Sequence, residues 1–208
     1  MKDRVPEKIT AIIRGYVGED LDRIVSALAD GGVKSMEITM NSPSAATSIT
    51  RLLRTYGGRL KIGAGTVTTM ERFLQAAEAG AQFIITPNVD EEIIKASHER
   101  GLMIIPGAFT PSEIVKAEAL GCRYVKLFPV ISVGPEYLKA VKAPLNQVEI
   151  IAVGGITTDN VTEYLRCGAY GVGVGGGLCR IPEDGDCNKI TEEAKKMVKL
   201  VYGTSGTI

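Results

Sequence analysis

The strongest constraint on this chain is a repeat. Five times a helix-compatible stretch runs out at a glycine and an apolar run follows: "SALADGG", "AAEAGA", "SHERGL", "AEALGC" and "YLRCGA", with Gly80, Gly101 and Gly121 at near-even intervals. Glycine past a helix end takes a left-handed conformation without a Cβ penalty, so it stops the helix and turns the chain. Eight short apolar, β-branched runs read as strands: "ITAIIRG" (9–15), "SMEITM" (35–40), "KIGAGT" (61–66), "FIITP" (83–87), "LMIIPG" (102–107), "RYVKLF" (123–128), "EIIAVGG" (149–155) and "YGVGVGG" (170–176). Strands alternating with helices build a parallel sheet. Eight such units predict a (β/α)8 TIM barrel, compact because its loops are short. An open doubly wound sheet would need fewer strands. No Pro/Ser-rich linker or low-complexity tract interrupts the pattern, so a single domain over residues 1–208 is expected. In it "DCNKITEEAKKMVKLVYG" is the terminal helix and residues 204–208 form a tail.

Composition narrows the class. With 45% hydrophobic residues, 208 residues suffice for one globular core. Basic and acidic side chains balance at 24 each, which gives no nucleic-acid or membrane-surface footprint. The start "MKDRVPEK" lacks the apolar core of a signal peptide, and no apolar run reaches the roughly 20 residues a membrane helix needs. Cys122, Cys167, Cys179 and Cys187 form no C-x-x-C pair and no metal spacing, as expected of reduced thiols in a cytoplasmic protein. The single histidine, His98, reads as a surface residue of a helix.

In such a barrel, functional side chains sit at the C-terminal strand ends. Alternation then sorts them by face. In 124–128, Val125 and Leu127 form an aliphatic face for the helices, leaving Tyr124, Lys126 and Phe128 pointing inward. In 36–40, Met36, Ile38 and Met40 form that face, so Glu37 and Thr39 point inward too. Arg14 ends the first strand on the face of Ile12. Three ionisable groups therefore converge on one barrel mouth. A buried Lys126–Glu37 ion pair with no chemistry would satisfy the same pattern. The functional alternative follows from acid–base physics: burial and a nearby guanidinium both favour the neutral amine, which attacks carbonyls to form a Schiff base. A carboxylate beside it can shuttle protons.

Two glycine clusters, Gly154–Gly155 and Gly175–Gly176–Gly177, end the last two strands. Phosphate sites in these barrels use those loops, where bare N–H groups cradle an anion. Thr157 and Asp159 suit a helix start just after the first cluster. Tight turns without a ligand are the alternative reading.

With these residues in view, the chain resembles the KDPG aldolase family, which includes 4-hydroxy-2-oxoglutarate (KHG) and 6-phosphogalactonate-type (KDPGal) aldolases. The resemblance rests on "GGVKSMEITM", "IGAGTV", "GAQFIITPN", "IPGAFTPSE", "YVKLFP" and "VGGI", in order from about residue 10 to residue 180. It implies class I aldol cleavage of a 2-keto-acid phosphate to pyruvate and an aldehyde, no metal or other cofactor, and a homotrimer. It also implies Lys126 as the Schiff-base lysine and Glu37 as the acid/base residue, working through a bound water. Thr66 would hold the pyruvate carboxylate, Pro106 and Phe128 would line the pocket, and Gly154, Gly155 and Gly175–177 would bind phosphate.

Three positions depart from the better-known members. Asn41 of "EITMNSP" stands where many carry a carboxylate-binding arginine, and Arg14 can supply that cation instead. Val153 of "AVGGI" replaces a threonine that touches the sugar chain. Gly177 stands where a serine often follows the final Gly-Gly. "NSP" and "AVGG" look more like KDPGal-type members, which tilts the expected epimer toward galactonate or toward relaxed selectivity. A KHG aldolase and a non-catalytic phosphosugar-binding barrel remain alternatives at this level.

Overall fold

The computed structural model describes residues 6–203. Strands and helices alternate as β1 (Ile9–Ile13), α1 (Gly18–Asp30), β2 (Ser35–Thr39), α2 (Ala45–Tyr56), β3 (Lys61–Gly65), α3 (Met70–Glu78), β4 (Phe83–Ile85) and α4 (Glu91–Glu99). There follow β5 (Met103–Ile105), β6 (Gly107–Ala108), α5 (Pro111–Ala119), β7 (Tyr124–Leu127), a 3-10 turn (Val130–Ser132) and α6 (Gly134–Lys142). The last elements are β8 (Glu149–Val153), α7 (Val161–Arg166), β9 (Gly171–Val174) and α8 (Asn188–Gly203). The expected tail at 204–208 lies outside the described residues.

All eight sequence-predicted strands are present, but the fifth is cut in two. β5 pairs with β4, while β6 pairs with β7. Pro106 sits at the cut because it has no N–H to give to a ladder. Its carbonyl instead accepts the Lys126 N–H at 2.9 Å. The pairing order is β5-β4-β3-β2-β1-β9-β8-β7-β6, with every adjacent pair parallel. Its two end strands are consecutive in the chain, so the sheet wraps back on itself at Pro106. A doubly wound sheet would instead reverse its order at a switch point.

The repeated glycines do what the pattern predicts. Gly32, Gly80, Gly101, Gly121 and Gly168 all have positive φ. After each, the next N–H donates to the carbonyl five residues back, as in Ala81 to Ala76 and Cys122 to Ala117, both 3.0 Å. This is the Schellman closure, which satisfies helix-end carbonyls and feeds the chain into the next strand. Starts are equally local: Thr69 and Asp90 cap α3 and α4, and Thr110 with Glu113 forms a capping box at α5. α1, α2, α6 and α7 start without a side-chain cap. The last begins at Val161, and Thr157 and Asp159 lie in the turn before it, where the Thr157 N–H donates to Asn160 Oδ1.

Alternation sorts the strands into two apolar layers. Ile13, Met36, Ile38, Ile84, Val125, Leu127 and Ile150 face the helices, where they meet apolar stripes such as Leu21, Ile24, Val25 and Leu28 of α1. Phe83, Ile85, Ile105, Tyr124, Ile151 and Val153 fill the barrel. Gly63 leaves room for the Phe83 ring, which an added Cβ would strike. His98 is half-buried rather than on the surface, because its Nε2 lies 3.2 Å from the Leu120 carbonyl at the end of α5.

Candidate active site

β7 and β2 deliver Lys126 and Glu37 into the barrel, 7% and 1% exposed. Both line a small inner chamber with Thr10, Ile12, Ile85, Ile105, Ile151, Val153 and Gly173. It offers about 10 Å³ to the centre of a water molecule, the space of a single water. Lys126 and Glu37 form no direct ion pair; their N···O separations exceed 4.0 Å. The direct pair that the sequence allowed is therefore absent. One carboxylate oxygen, Glu37 Oε2, is buried without a hydrogen-bond partner. The carboxyl lies across β3, where Gly65 has no side chain to obstruct it.

Burial dominates both groups. It raises the Glu37 pKa above the usual carboxylate range, with Lys126 and then Arg14 opposing it. It lowers the Lys126 pKa, opposed by Glu37 and reinforced by Arg14. Both shifts favour the neutral forms, a carboxylic acid and a free amine. The Phe128 ring flanks the amine, its centroid 4.7 Å from Nζ.

Arg14 stands exposed just past β1. Its Nη1 donates to Asn41 Oδ1 at 3.5 Å and its Nη2 to Thr66 Oγ1 at 3.3 Å. Thr66 has a φ of 55°, a left-handed conformation uncommon outside glycine. Arg14, Thr66, Phe128, Val153, Gly154, Gly155, Gly175 and Gly176 line a mouth of about 580 Å³ with Lys126. Val153 and Lys126 belong to both chamber and mouth.

Three expected residues lie off the wall of the mouth. Pro106 is buried behind it, holding the Lys126 backbone, and Pro87 lines the mouth instead. Asn41 reaches the site only through Arg14. Gly177 is turned back toward the Ile156 carbonyl, 3.2 Å from where a Cβ would stand. Gly154 and Gly155 have φ of 102° and 77°, whereas a Cβ on Gly176 would meet nothing within 4 Å. The first pair is required by backbone conformation, and Gly176 leaves open space. Among the described residues, the N–H groups of Gly155 and Gly176 donate to no protein acceptor.

Sequence reasoning missed Tyr16, Pro87, Cys179 and Arg180, which also line the mouth. Arg180 could have been found by following "GVGGGLCR" three residues past the glycines. Gly65 was also missed, because its role depends on a side chain from another strand. All four cysteines are free thiols, and burial pushes Cys179 up to about 12. No helix among the described residues is long and apolar enough to cross a membrane.

Comparison with known proteins gives one answer. Residues 4–193 match the family model "KDPG and KHG aldolase". The 2-dehydro-3-deoxy-6-phosphogalactonate aldolase of Escherichia coli (strain K12) is 34% identical over 192 residues, 92% of this chain and 93% of its own length. A solved structure described as "Native KDPGal structure" superposes with a TM-score of 0.91 at 32% identity, covering 100% of both chains. A KDPG aldolase from Legionella pneumophila, with pyruvate captured as a covalent carbinolamine, gives a TM-score of 0.83 at 30% identity. That match covers 91% of this chain and 93% of the other.

Proposed function

The chain belongs to the KDPG and KHG aldolase family and is a carbon–carbon lyase, and from that premise we propose the reaction and the residues that perform it. The substrate is a 2-keto-3-deoxy-6-phospho-sugar acid, KDPG or its galactonate epimer, and the products are pyruvate and glyceraldehyde 3-phosphate. The observation that carries this reading is a buried lysine, Lys126, whose pKa burial lowers, sharing a small inner chamber with Glu37 beneath a cation-lined mouth.

Lys126 Nζ adds to the C2 carbonyl and gives a carbinolamine. Glu37, whose pKa burial raises so that its acid form is favoured, donates a proton to the departing hydroxyl, and water leaves as the iminium forms. The iminium draws the C3–C4 bonding electrons while the C4 hydroxyl proton passes to the Glu37 carboxylate through a water. The aldehyde departs. The remaining enamine takes a proton at C3, and hydrolysis of the resulting iminium frees pyruvate and the amine. Arg14 and Thr66 hold the substrate carboxylate, fixing C2 near Nζ. Arg14 takes this part because Asn41 supplies only a neutral partner to the guanidinium.

Val153 lies where chamber meets mouth, and its apolar side chain offers no hydrogen bond to a substrate hydroxyl such as that on C4, the carbon at which the two epimers differ. This supports KDPGal, or both epimers, over strict KDPG selectivity. We further propose a cytoplasmic homotrimer with the barrel as its single domain.

Borohydride trapping with pyruvate, followed by peptide mapping, tests the lysine. The adduct is expected on Lys126; an adduct elsewhere refutes the assignment. Pyruvate release from KDPG, KDPGal and 4-hydroxy-2-oxoglutarate, measured side by side, tests the substrate. A preference for 4-hydroxy-2-oxoglutarate over both phosphorylated acids overturns the phosphosugar reading.

A further inference from the structure

We propose that Arg180 is the side-chain cation that grips the phosphate end of the substrate, so that the enzyme reads phosphorylated 2-keto acids through a guanidinium as well as through glycine N–H groups. The inference rests on the aldolase reading above and adds a residue to it.

Two guanidiniums line the mouth, Arg14 and Arg180. Arg14 is engaged with Asn41 and Thr66, the carboxylate end of the proposed reaction. Arg180 is exposed and, among the described residues, makes no hydrogen bond or salt bridge. The acids near it in sequence are mostly committed elsewhere. Asp184 pairs with Lys189, and Asp186 accepts the Asn188 N–H. Glu183 is exposed on the same loop. Arg180 shares its wall with Gly154, Gly155, Gly175 and Gly176. A phosphate dianion accepts several hydrogen bonds, and a planar guanidinium fork beside uncommitted N–H groups matches that demand.

The loop that carries Arg180 is fixed at both ends. Leu178 and Cys179 N–H groups donate to the Gly175 carbonyl at 2.9 and 2.8 Å, closing a tight turn just ahead of it. On the other side the Ile181 N–H donates to Tyr16 Oη at 3.4 Å, and Arg23 Nη2 donates to the Gly185 carbonyl at 2.5 Å. Tyr16 lines the mouth as well. It acts as a positioning residue, holding the backbone one residue beyond Arg180.

The test compares Arg180→Gln, Arg180→Lys and Tyr16→Phe in the full chain. For Arg180→Gln, KM for the phosphorylated substrate should rise about 10- to 100-fold, the loss expected for charge-assisted hydrogen bonds. The same variant should lose at least about tenfold less in pyruvate trapping by borohydride, since pyruvate has no phosphate, and the inhibition constant of inorganic phosphate should rise with KM. Arg180→Lys should recover part of the loss, and Tyr16→Phe should raise KM about threefold. Equal losses on phosphorylated substrate and on pyruvate trapping overturn the proposal, because they mark a structural role. An unchanged KM in Arg180→Gln overturns it too. Failure of the unsubstituted enzyme to trap pyruvate at all overturns the aldolase mechanism itself, a result the variants do not mimic.

Discussion

Gly65→Ala should disable this enzyme without replacing a single reacting group. An alanine Cβ at position 65 would stand closer than 3.0 Å to Oε1, Cδ and Oε2 of Glu37, 2.9 Å in the last case. Ordinary van der Waals contact begins at 3.4 Å, so the carboxyl must retreat by about 1 Å. The backbone cannot easily yield instead. Gly65 is the last residue of β3, paired with Thr39 of β2, and Thr66 after it is already held at positive φ. Misplacing a catalytic group by about 1 Å costs on the order of 100-fold. The ceiling is the whole proton-transfer contribution, about 100- to 10,000-fold.

The assay is steady-state pyruvate release on KDPGal and KDPG, with Glu37→Gln and the double variant alongside. Gly65→Ala should lower kcat about 100-fold while KM changes little. In the double variant the losses should not multiply, because both substitutions remove one function. Thermal denaturation and pyruvate trapping by Lys126 keep the test honest: a folded variant that still binds pyruvate but turns over slowly isolates the carboxyl. A kcat within about threefold of the parent, or fully multiplying losses in the double variant, refutes the link from Gly65 to Glu37.

Phe128→Leu should move the acid limb of kcat/KM to lower pH. The ring faces the amine at 4.7 Å and stabilises its charged form, so its removal lets the neutral amine persist further into acid. At a half-exposed site this is worth about 0.5–1 kcal/mol, or roughly 0.4–0.7 pH unit, and a limb that moves up in pH contradicts it. Lys126→Met should abolish activity and raise the melting temperature at neutral pH. The lysine pKa is lowered on folding, so its destabilising effect is full below the folded pKa and fades as pH rises toward the ordinary value of about 10.4. The stability gain over the parent should therefore shrink from neutral pH to pH ~10, and a gain that grows with pH refutes it.

The fold was legible because its punctuation is local. Each Schellman glycine and each cap acts within one turn of its own helix, so a reader of the sequence sees cause and effect together. Strand parity worked for the same reason: Val125 and Leu127 announce the helix-facing side of β7 without any knowledge of β2. The split at Pro106 was written in the sequence too, since a proline inside a strand interrupts a ladder, but one continuous apolar run obscured it. Thr157 and Asp159 misled as a helix start because their hydrogen bonds close a turn ahead of α7: Thr157 Oγ1 accepts the Asp159 N–H, and the Thr157 N–H donates to Asn160 Oδ1.

The site was legible only in its charged members. Lys126 and Glu37 are conspicuous because a charge in an apolar run violates burial statistics. Gly65 violates nothing. Glycine in a strand normally signals a bulge or a close approach, and which atom approaches is decided by the wrap of β2 onto β3. Arg180 hides for a complementary reason: an arginine in an exposed loop is unremarkable until the barrel turns that loop over the same cavity as Lys126. The same wrap bears on the Lys126 and Glu37 pair at the centre. A direct Lys126–Glu37 salt bridge would hold both groups ionised, leaving an ammonium that cannot attack a ketone. Without that direct contact, burial is the largest influence on each, raising the Glu37 pKa and lowering that of Lys126, both toward the acid and the amine that the reaction needs.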